Sequence, residues 1–235
     1  MRGFSKTLTA CSAFLAVGVL GMIVSTVPGR AHNDNNGAQD EQQMIQIGLK
    51  IAPIQLNMAG KDSDLVGLGS YLVNAVGDCN GCHSDGPMTE FIPSGNPYLL
   101  MPPNGPFLGT KQVNLKTYLG GGRDFGAVVP SPGGTVHIIS RNLTPDKSGM
   151  PEGGRTLSEF IQIMRTGVDL DNAHPNCPTN SPNCILPPVN GAVLQVMRWP
   201  SFQNMTDRQL TAIYEYLSMV PCLEGGPGEP SPRCQ

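Results

Sequence analysis

The chain has 235 residues, of which 39% are apolar and 14% are charged. This length allows one ordinary domain with a hydrophobic core. The 29 glycines and 22 prolines predict that much of the chain forms turns and irregular loops. The formal net charge of −3 excludes a generally basic nucleic-acid-binding protein.

The N-terminus has the pattern of an export signal. Arg2 and Lys6 precede an apolar run at about 8–24, and small residues follow it. We therefore predict a signal peptide over 1–31, cleaved near Ala31. The alternative is an uncleaved anchor in the inner membrane, because the apolar stretch is long enough to span a bilayer. In the first case the protein is periplasmic or otherwise exported, and in both cases disulfides can persist.

The segment that follows the signal peptide changes from polar to apolar. Residues 32–43 are polar and are predicted to form a flexible tail. In Met44–Leu56, isoleucine and leucine alternate with polar or small residues. This alternation predicts a short extended segment that packs one face and ends at Pro53.

A helix and a long loop region are predicted next. Asp64–Cys82 contains apolar side chains at helical spacing, which predict an amphipathic helix that ends near Gly77. Residues 84–154 are crowded with glycine and proline, so we expect them to be rich in loops.

The last part of the chain contains two more predicted helices. Thr156–Gly167 carries an apolar stripe and ends at a glycine, and 169–188 is a loop rich in proline and asparagine. Thr206–Met219 has the clearest helical pattern, because Thr206 and Gln209 have the spacing of a capping box.

One motif carries the chemistry of the chain. Residues 79–83 read Cys-Asn-Gly-Cys-His, the attachment signature of c-type haem. Two thiols at this spacing reach the two vinyl groups of one porphyrin, and the next residue presents its imidazole to the iron. Cys79 and Cys82 would form the thioethers, and His83 would be the proximal ligand. A dithiol redox pair is disfavoured because no βαβ pattern surrounds it, and a zinc site lacks a second ligand pair.

Several segments, together with this motif, resemble the cytochrome c family, in the monohaem class I type. They are especially similar to the cytochrome c domains of membrane-associated dehydrogenase cytochrome subunits. The segments that carry the resemblance are Gly69-Ser70-Tyr71-Leu72-Val73, Asn142-Leu143-Thr144-Pro145-Asp146, Leu157-Ser158-Glu159-Phe160, Arg165-Thr166-Gly167, Trp199-Pro200-Ser201-Phe202, Met205-Thr206-Asp207 and Ala212-Ile213-Tyr214-Glu215-Tyr216-Leu217.

The resemblance implies a mainly α fold. This fold is a cytochrome c-like helical wrap around one haem, here with a long loop-rich insertion at about 84–154. The cytochrome c domain would cover 44–222, and 223–235 would be a C-terminal tail. In this fold the first and last helices cross, so Gly69 or Tyr71 would pack near Tyr214.

The resemblance also implies the second iron ligand. In the family, a methionine in a Met-Pro-(Trp/Tyr)-Pro stretch before the last helix binds the iron. Met197 stands at that place, and Arg198 replaces the usual proline. Met205, beside the helix cap, is expected to pack instead. The remaining alternatives are an open site or one of three other histidines: His32, His137 and His174.

Four more cysteines follow the haem motif. Proximity in sequence favours the pairs Cys177–Cys184 and Cys222–Cys234, although four thiols allow three pairings. Both pairs close short loops, so each disulfide would stabilise the fold modestly.

Together these features predict an exported electron-transfer protein rather than an enzyme. One covalent haem c, with iron between histidine and methionine, would carry single electrons between redox proteins such as a dehydrogenase, a terminal oxidase or another cytochrome. One alternative is a cytochrome subunit of a periplasmic dehydrogenase complex. Another is a haem enzyme or gas sensor with an open distal site. No nucleic-acid partner is expected, and the membrane is a partner only if the N-terminal segment is retained.

Overall fold

A computed structural model describes residues 34–99, 111–178, 180–224 and 232–235. The predicted signal peptide lies outside the described residues. Among the described residues, no helix combines the length and the apolar character that crossing a membrane requires.

Helix α1 (Asp34–Ile51) replaces the predicted flexible tail at 34–43 and the predicted extended segment after it. Both of those predictions are wrong. The alternating apolar residues do not share one buried face, since Ile45 is 1% exposed whereas Ile47 is 46% exposed. The buried residues instead follow helical spacing and include Gly48. Because glycine has no side chain, the hydrophobic pattern of the sequence does not reveal this contact.

Helix α2 (Ser63–Tyr71) packs closely on α1. A Cβ atom on Gly48 would lie 1.9 Å from the Gly67 carbonyl oxygen, so the two backbones meet through glycines. Ser70 Oγ donates a hydrogen bond to the Gly48 carbonyl at 2.7 Å. A single π-helical turn (Leu72–Val76) continues α2 to Gly77, which confirms the predicted helix end.

Helices α5 (Leu157–Thr166) and α7 (Asp207–Leu217) confirm the two predicted C-terminal helices. Each begins at a capping box, formed in α7 by Thr206 and Gln209. Helix α7 packs on α2, and Gly69 of α2 lies directly against the backbone of Ala212. The nearest neighbours of Gly69 in α7 are Ala212 and Tyr216 rather than the expected Tyr214.

A β-hairpin overturns the predicted fold class. Strands β1 (Asp124–Ser131) and β2 (Gly134–Ile139) pair antiparallel within the segment predicted to be loops, with Val129 opposite Val136. The mainly α, cytochrome c-like helical wrap is wrong as a fold class, because the structure mixes helices with this sheet. The hairpin forms because Val129, Val136 and Ile138 are buried together against Ile185.

Four short elements complete the described chain. They are helix α3 (Cys79–His83), a 3₁₀ turn (Pro93–Gly95), the turn α4 (Pro151–Gly154) and helix α6 (Trp199–Phe202). Both predicted disulfides, Cys177–Cys184 and Cys222–Cys234, are confirmed.

The C-terminal residues 232–235 pack against the body of the protein. Arg233 is 6% exposed, and its guanidinium donates to the carbonyl oxygens of Asn142 and Thr144 at 3.0 and 2.6 Å. The Cys222–Cys234 disulfide holds the chain beside this contact.

Candidate haem site

The Cys-Asn-Gly-Cys-His motif forms the whole of α3, directly after the π-helical turn. π-helical turns are rare and are found frequently at functional sites. Asn74 stabilises this one, since its amide donates to the Ser70 carbonyl at 3.0 Å and its Oδ1 accepts from the Tyr118 hydroxyl at 2.6 Å. The chain then turns into α3 through Asp78, which has left-handed backbone angles (φ 46°).

Two contacts fix α3 itself. Asn80 is buried, and its Oδ1 accepts a hydrogen bond from the Leu119 backbone at 2.9 Å. The Arg123 guanidinium donates to the Gly81 carbonyl, and it also lies over the Phe125 ring. The segment around the β-hairpin therefore holds the motif in place.

Cys79 and Cys82 are free thiols, whereas the four other described cysteines form disulfides. Burial, followed by the charge of Asp78, raises the pKa of Cys79 to about 12. A redox dithiol needs the opposite, because its attacking sulfur reacts as a thiolate with a lowered pKa. The environment of Cys79 therefore disfavours the dithiol alternative.

His83 is held in one tautomer. Its Nδ1 lies 2.7 Å from the carbonyl oxygen of Arg141. A carbonyl can only accept, so Nδ1 carries the proton and Nε2 keeps its lone pair. Burial lowers the pKa of His83, which favours the neutral imidazole. This is the usual arrangement of a histidine that binds a metal, with its other nitrogen bonded to a carbonyl.

A cavity of about 500 Å³ adjoins α3. This volume lies within the range of about 300–1,000 Å³ that is typical of cofactor and small-molecule sites. Its walls are mostly apolar and include Phe160 and Ile163 of α5, Ile213 and Leu217 of α7, and Phe125 and Ile138 of the hairpin. Helices α5 and α7 and the β-hairpin thus contribute to one cavity.

The four residues proposed from the sequence, Cys79, Cys82, His83 and Met197, all line this cavity. Met197 is partly buried, and its backbone N–H donates to the Gln195 carbonyl at 2.7 Å across Val196. Val196 has φ 66°, which is unusual for a β-branched residue. The backbone before Met197 is therefore sharply turned.

Two of the other candidate ligands considered from the sequence also line this cavity, and one does not. Met205 lines the same cavity as Met197 and so does His174, while His137 lies on the hairpin and pairs with Asp124. His32 lies outside the described residues.

Sequence reasoning missed a group of ionisable residues in the cavity wall. Arg141, Glu152 and Asp169 all line the cavity. The Arg141 guanidinium pairs with both carboxylates, whose side chains are 8% and 5% exposed. These residues are far apart in sequence, so no local pattern could have found them.

These residues fit a covalently attached haem. Two free thiols, an imidazole with an available Nε2 and a thioether meet at one apolar cavity, which is the donor set of a c-type site. Within the described ranges, no group of three or more His, Cys, Asp or Glu side chains is arranged to hold a bare metal ion.

Comparisons with protein-family models, with curated proteins and with solved structures found no match to this chain.

Proposed function

We propose that this protein is an exported electron carrier with one covalently bound haem c. Cys79 and Cys82 form the thioethers, and His83 and Met197 are the axial ligands. One observation carries the proposal: His83 presents a free Nε2 at the cavity that both thiols and Met197 also line. When bound, the haem supplies a single iron that cycles between the ferric and ferrous states.

The chain's own residues determine how the haem would behave. The carbonyl of Arg141 orients the His83 ring and increases its basicity. The apolar side chains of α5 and α7 would cover part of the haem and limit its contact with water, which would reduce reorganisation when its charge changes. The Met197 thioether, a soft ligand, favours the reduced iron relative to a second imidazole.

The proposed location and partners follow from the same features. Two disulfides support an oxidising compartment such as the periplasm. The partners would be redox proteins, among them a dehydrogenase that supplies electrons and an oxidase or second cytochrome that accepts them. In this role the protein carries electrons and turns over no substrate of its own.

Production in a host with intact haem-ligation machinery tests the proposal. We expect intact mass to increase by one haem that resists acid–acetone extraction, and the Cys79→Ser/Cys82→Ser variant to lose it. Conversion of the thiols to thioethers should also remove both from reaction with a thiol reagent after denaturation. A colourless protein in which Cys79 and Cys82 both react with the reagent would overturn the proposal.

The ligand assignment has a matched pair of variants. Met197→Ala should abolish the weak far-red absorption band that a sulfur–iron bond gives to ferric haem, whereas Met205→Ala should keep it. The reverse result would mean that Met205 is the ligand. Absence of the band in the parent, together with carbon monoxide binding to its reduced form, would favour an open distal site.

A further inference from the structure

A buried carboxylate, that of Glu152, lines the candidate haem cavity without a role in attaching the haem. Glu152 has left-handed backbone angles (φ 51°, ψ 44°), which cost energy for a glutamate. Its backbone N–H donates to the Leu143 carbonyl at 3.2 Å. The fold therefore holds this side chain at the cavity against its conformational preference, as is common at functional positions.

Glu152 shares its cationic partner with two aspartates. Its Oε1 lies 3.6 Å from Arg141 Nη1, whereas Asp171 lies 2.8 Å from the same nitrogen and Asp169 contacts Nη2 more closely still. Arg155, the second cation of the cluster, contacts Asp171 closely. Three carboxylates thus share the Arg141 guanidinium, and Glu152 is the least tightly paired of the three.

Other ionisable groups surround this cluster. Glu159 lies 4.0 Å from Arg155, and His83 bonds to the backbone carbonyl of Arg141. His174 lines the same cavity. The experiment must therefore separate proton uptake by Glu152 from any contribution of His174 or of the carboxylates that haem itself carries.

Reduction of a haem in this cavity removes one positive charge beside the cluster. The negative charge of the carboxylates is then less well compensated. The carboxylate with the longest distance to its cationic partner gains a proton most readily. Solvent can reach the cluster at Asp171, whose side chain is 53% exposed.

We propose that Glu152 binds one proton when the protein is reduced and releases it when the protein is oxidised. The inference rests on the proposed function. One electron from the donor protein reduces ferric iron to ferrous, and one proton from solvent converts the Glu152 carboxylate to the carboxylic acid. Both steps reverse when the acceptor oxidises the iron, so the protein moves a proton together with each electron.

Burial raises the pKa of Glu152 to about 6, although Arg141 and Arg155 act in the opposite direction. This value supports the proposal because it brings the carboxyl near physiological pH, where a change of one charge nearby can alter its protonation. A carboxyl with an ordinary pKa would remain ionised in both redox states.

The test is the midpoint potential of the haem-loaded protein measured as a function of pH. Between the pKa values of the oxidised and reduced forms, the parent's potential should fall by up to about 59 mV per pH unit, the one-electron equivalent of a tenfold change in proton activity. Glu152→Gln should remove this slope. Asp171→Asn should move it to lower pH, since Asp171 raises the pKa of Glu152.

Two further variants and one spectrum complete the experiment. His174→Gln should keep the dependence of the potential on pH, because it removes only the competing group in the cavity. Asp124→Asn should keep it as well, because it removes an exposed carboxylate on the hairpin. The reduced-minus-oxidised infrared spectrum of the parent should gain the C=O stretch of a protonated carboxyl. Glu152→Gln should lack that band.

The possible failures are distinguishable. A slope that persists in Glu152→Gln, or one that disappears in His174→Gln, would overturn the assignment to Glu152. A haem protein whose potential is flat with pH, with no carboxyl band, would overturn this inference and leave the proposed function intact. A protein without covalent haem would overturn both. If Glu152→Gln does not fold, Asp171→Asn and the parent's spectrum still decide the matter.

Discussion

Gly69 shows how a single residue can determine whether two helices meet. A Cβ atom at this position would lie 1.9 Å from the Ala212 carbonyl oxygen and 2.8 Å from the Tyr216 Cβ. The nearest contact is with backbone, which cannot rotate away. The close approach of α2 and α7 therefore requires glycine at position 69.

We expect Gly69→Ala to reduce the free energy of unfolding by about 1–3 kcal/mol or more, because the helices must move apart. The matched control is Gly37→Ala in α1, where nothing lies within 4 Å of the added Cβ. That change should be neutral or stabilising by up to about 1 kcal/mol, since alanine loses less backbone entropy in a helix. Urea denaturation of both variants measures the difference, and equal stabilities would contradict the role of Gly69.

The residues of the candidate site differ in how readily sequence could predict them. Cys79, Cys82 and His83 form a local motif with the spacing of a haem-attachment signature. The sequence alone can therefore propose them as haem-binding residues. Arg141 and Glu152 meet at the cavity only because the chain folds back, and neither stands in a diagnostic local pattern. A local motif can therefore be recognised in the sequence, whereas a cluster of charges from distant segments cannot.

At the scale of secondary-structure elements, helix α7 depends on its capping box. Thr206 Oγ1 accepts from the Gln209 backbone at 3.2 Å, and Gln209 Oε1 accepts from the Thr206 backbone at 2.9 Å. Thr206→Ala leaves the first turn without this acceptor and should cost about 1 kcal/mol of stability. Thr206→Ser keeps the hydroxyl and should cost much less. Thermal unfolding compares the two, and equal losses would mean that the threonine methyl rather than the cap matters.

Secondary-structure elements differ in how much of their formation is encoded locally. The capped helices α5 and α7 carry start and stop signals within their own sequences. Helix α1 was missed because Gly48, a poor helix former, makes one of its closest contacts, so the packing with α2 outweighs local propensity. The hairpin β1–β2 was missed because its short strands lie among glycines and prolines, and their buried side chains pack on Ile185, which is distant in sequence.

At the scale of the whole molecule, the two disulfides close loops of similar length, with sequence separations of 7 and 12. Restriction of the unfolded chain alone gives about 2.4 kcal/mol for the shorter loop and about 2.8 kcal/mol for the longer one, a difference below about 0.5 kcal/mol. Only Cys222–Cys234, however, holds the segment that carries Arg233.

We therefore expect Cys222→Ala/Cys234→Ala to destabilise the protein more than Cys177→Ala/Cys184→Ala does. The excess should approach about 1.5–3 kcal/mol, the usual contribution of hydrogen bonds from a charged group. Arg233→Met with both disulfides intact should lose about the same amount of unfolding free energy relative to the parent, because it removes the same hydrogen bonds. Equal losses in the two double variants, measured by urea denaturation, would show that Arg233 stays in place without its disulfide.

The pH dependence of stability depends on the same buried Glu152 that lines the cavity. Its pKa rises from 4.5 in the unfolded chain to about 6 in the folded protein, chiefly through burial. The folded state therefore binds this proton more tightly, so the favourable contribution is complete below the unfolded pKa and is lost as pH rises through the folded pKa. The loss is about 2 kcal/mol.

Glu152→Gln resembles the protonated side chain at every pH and should not show this loss. Relative to the variant, the parent should lose about 2 kcal/mol of unfolding free energy between about pH 4 and about pH 8. All other titrating groups are common to both proteins, so urea denaturation across this range isolates the one carboxyl. If the difference in unfolding free energy between the two proteins does not change with pH, the pKa of Glu152 is the same in the folded and unfolded states. Arg141 and Arg155 would then fully offset the effect of burial.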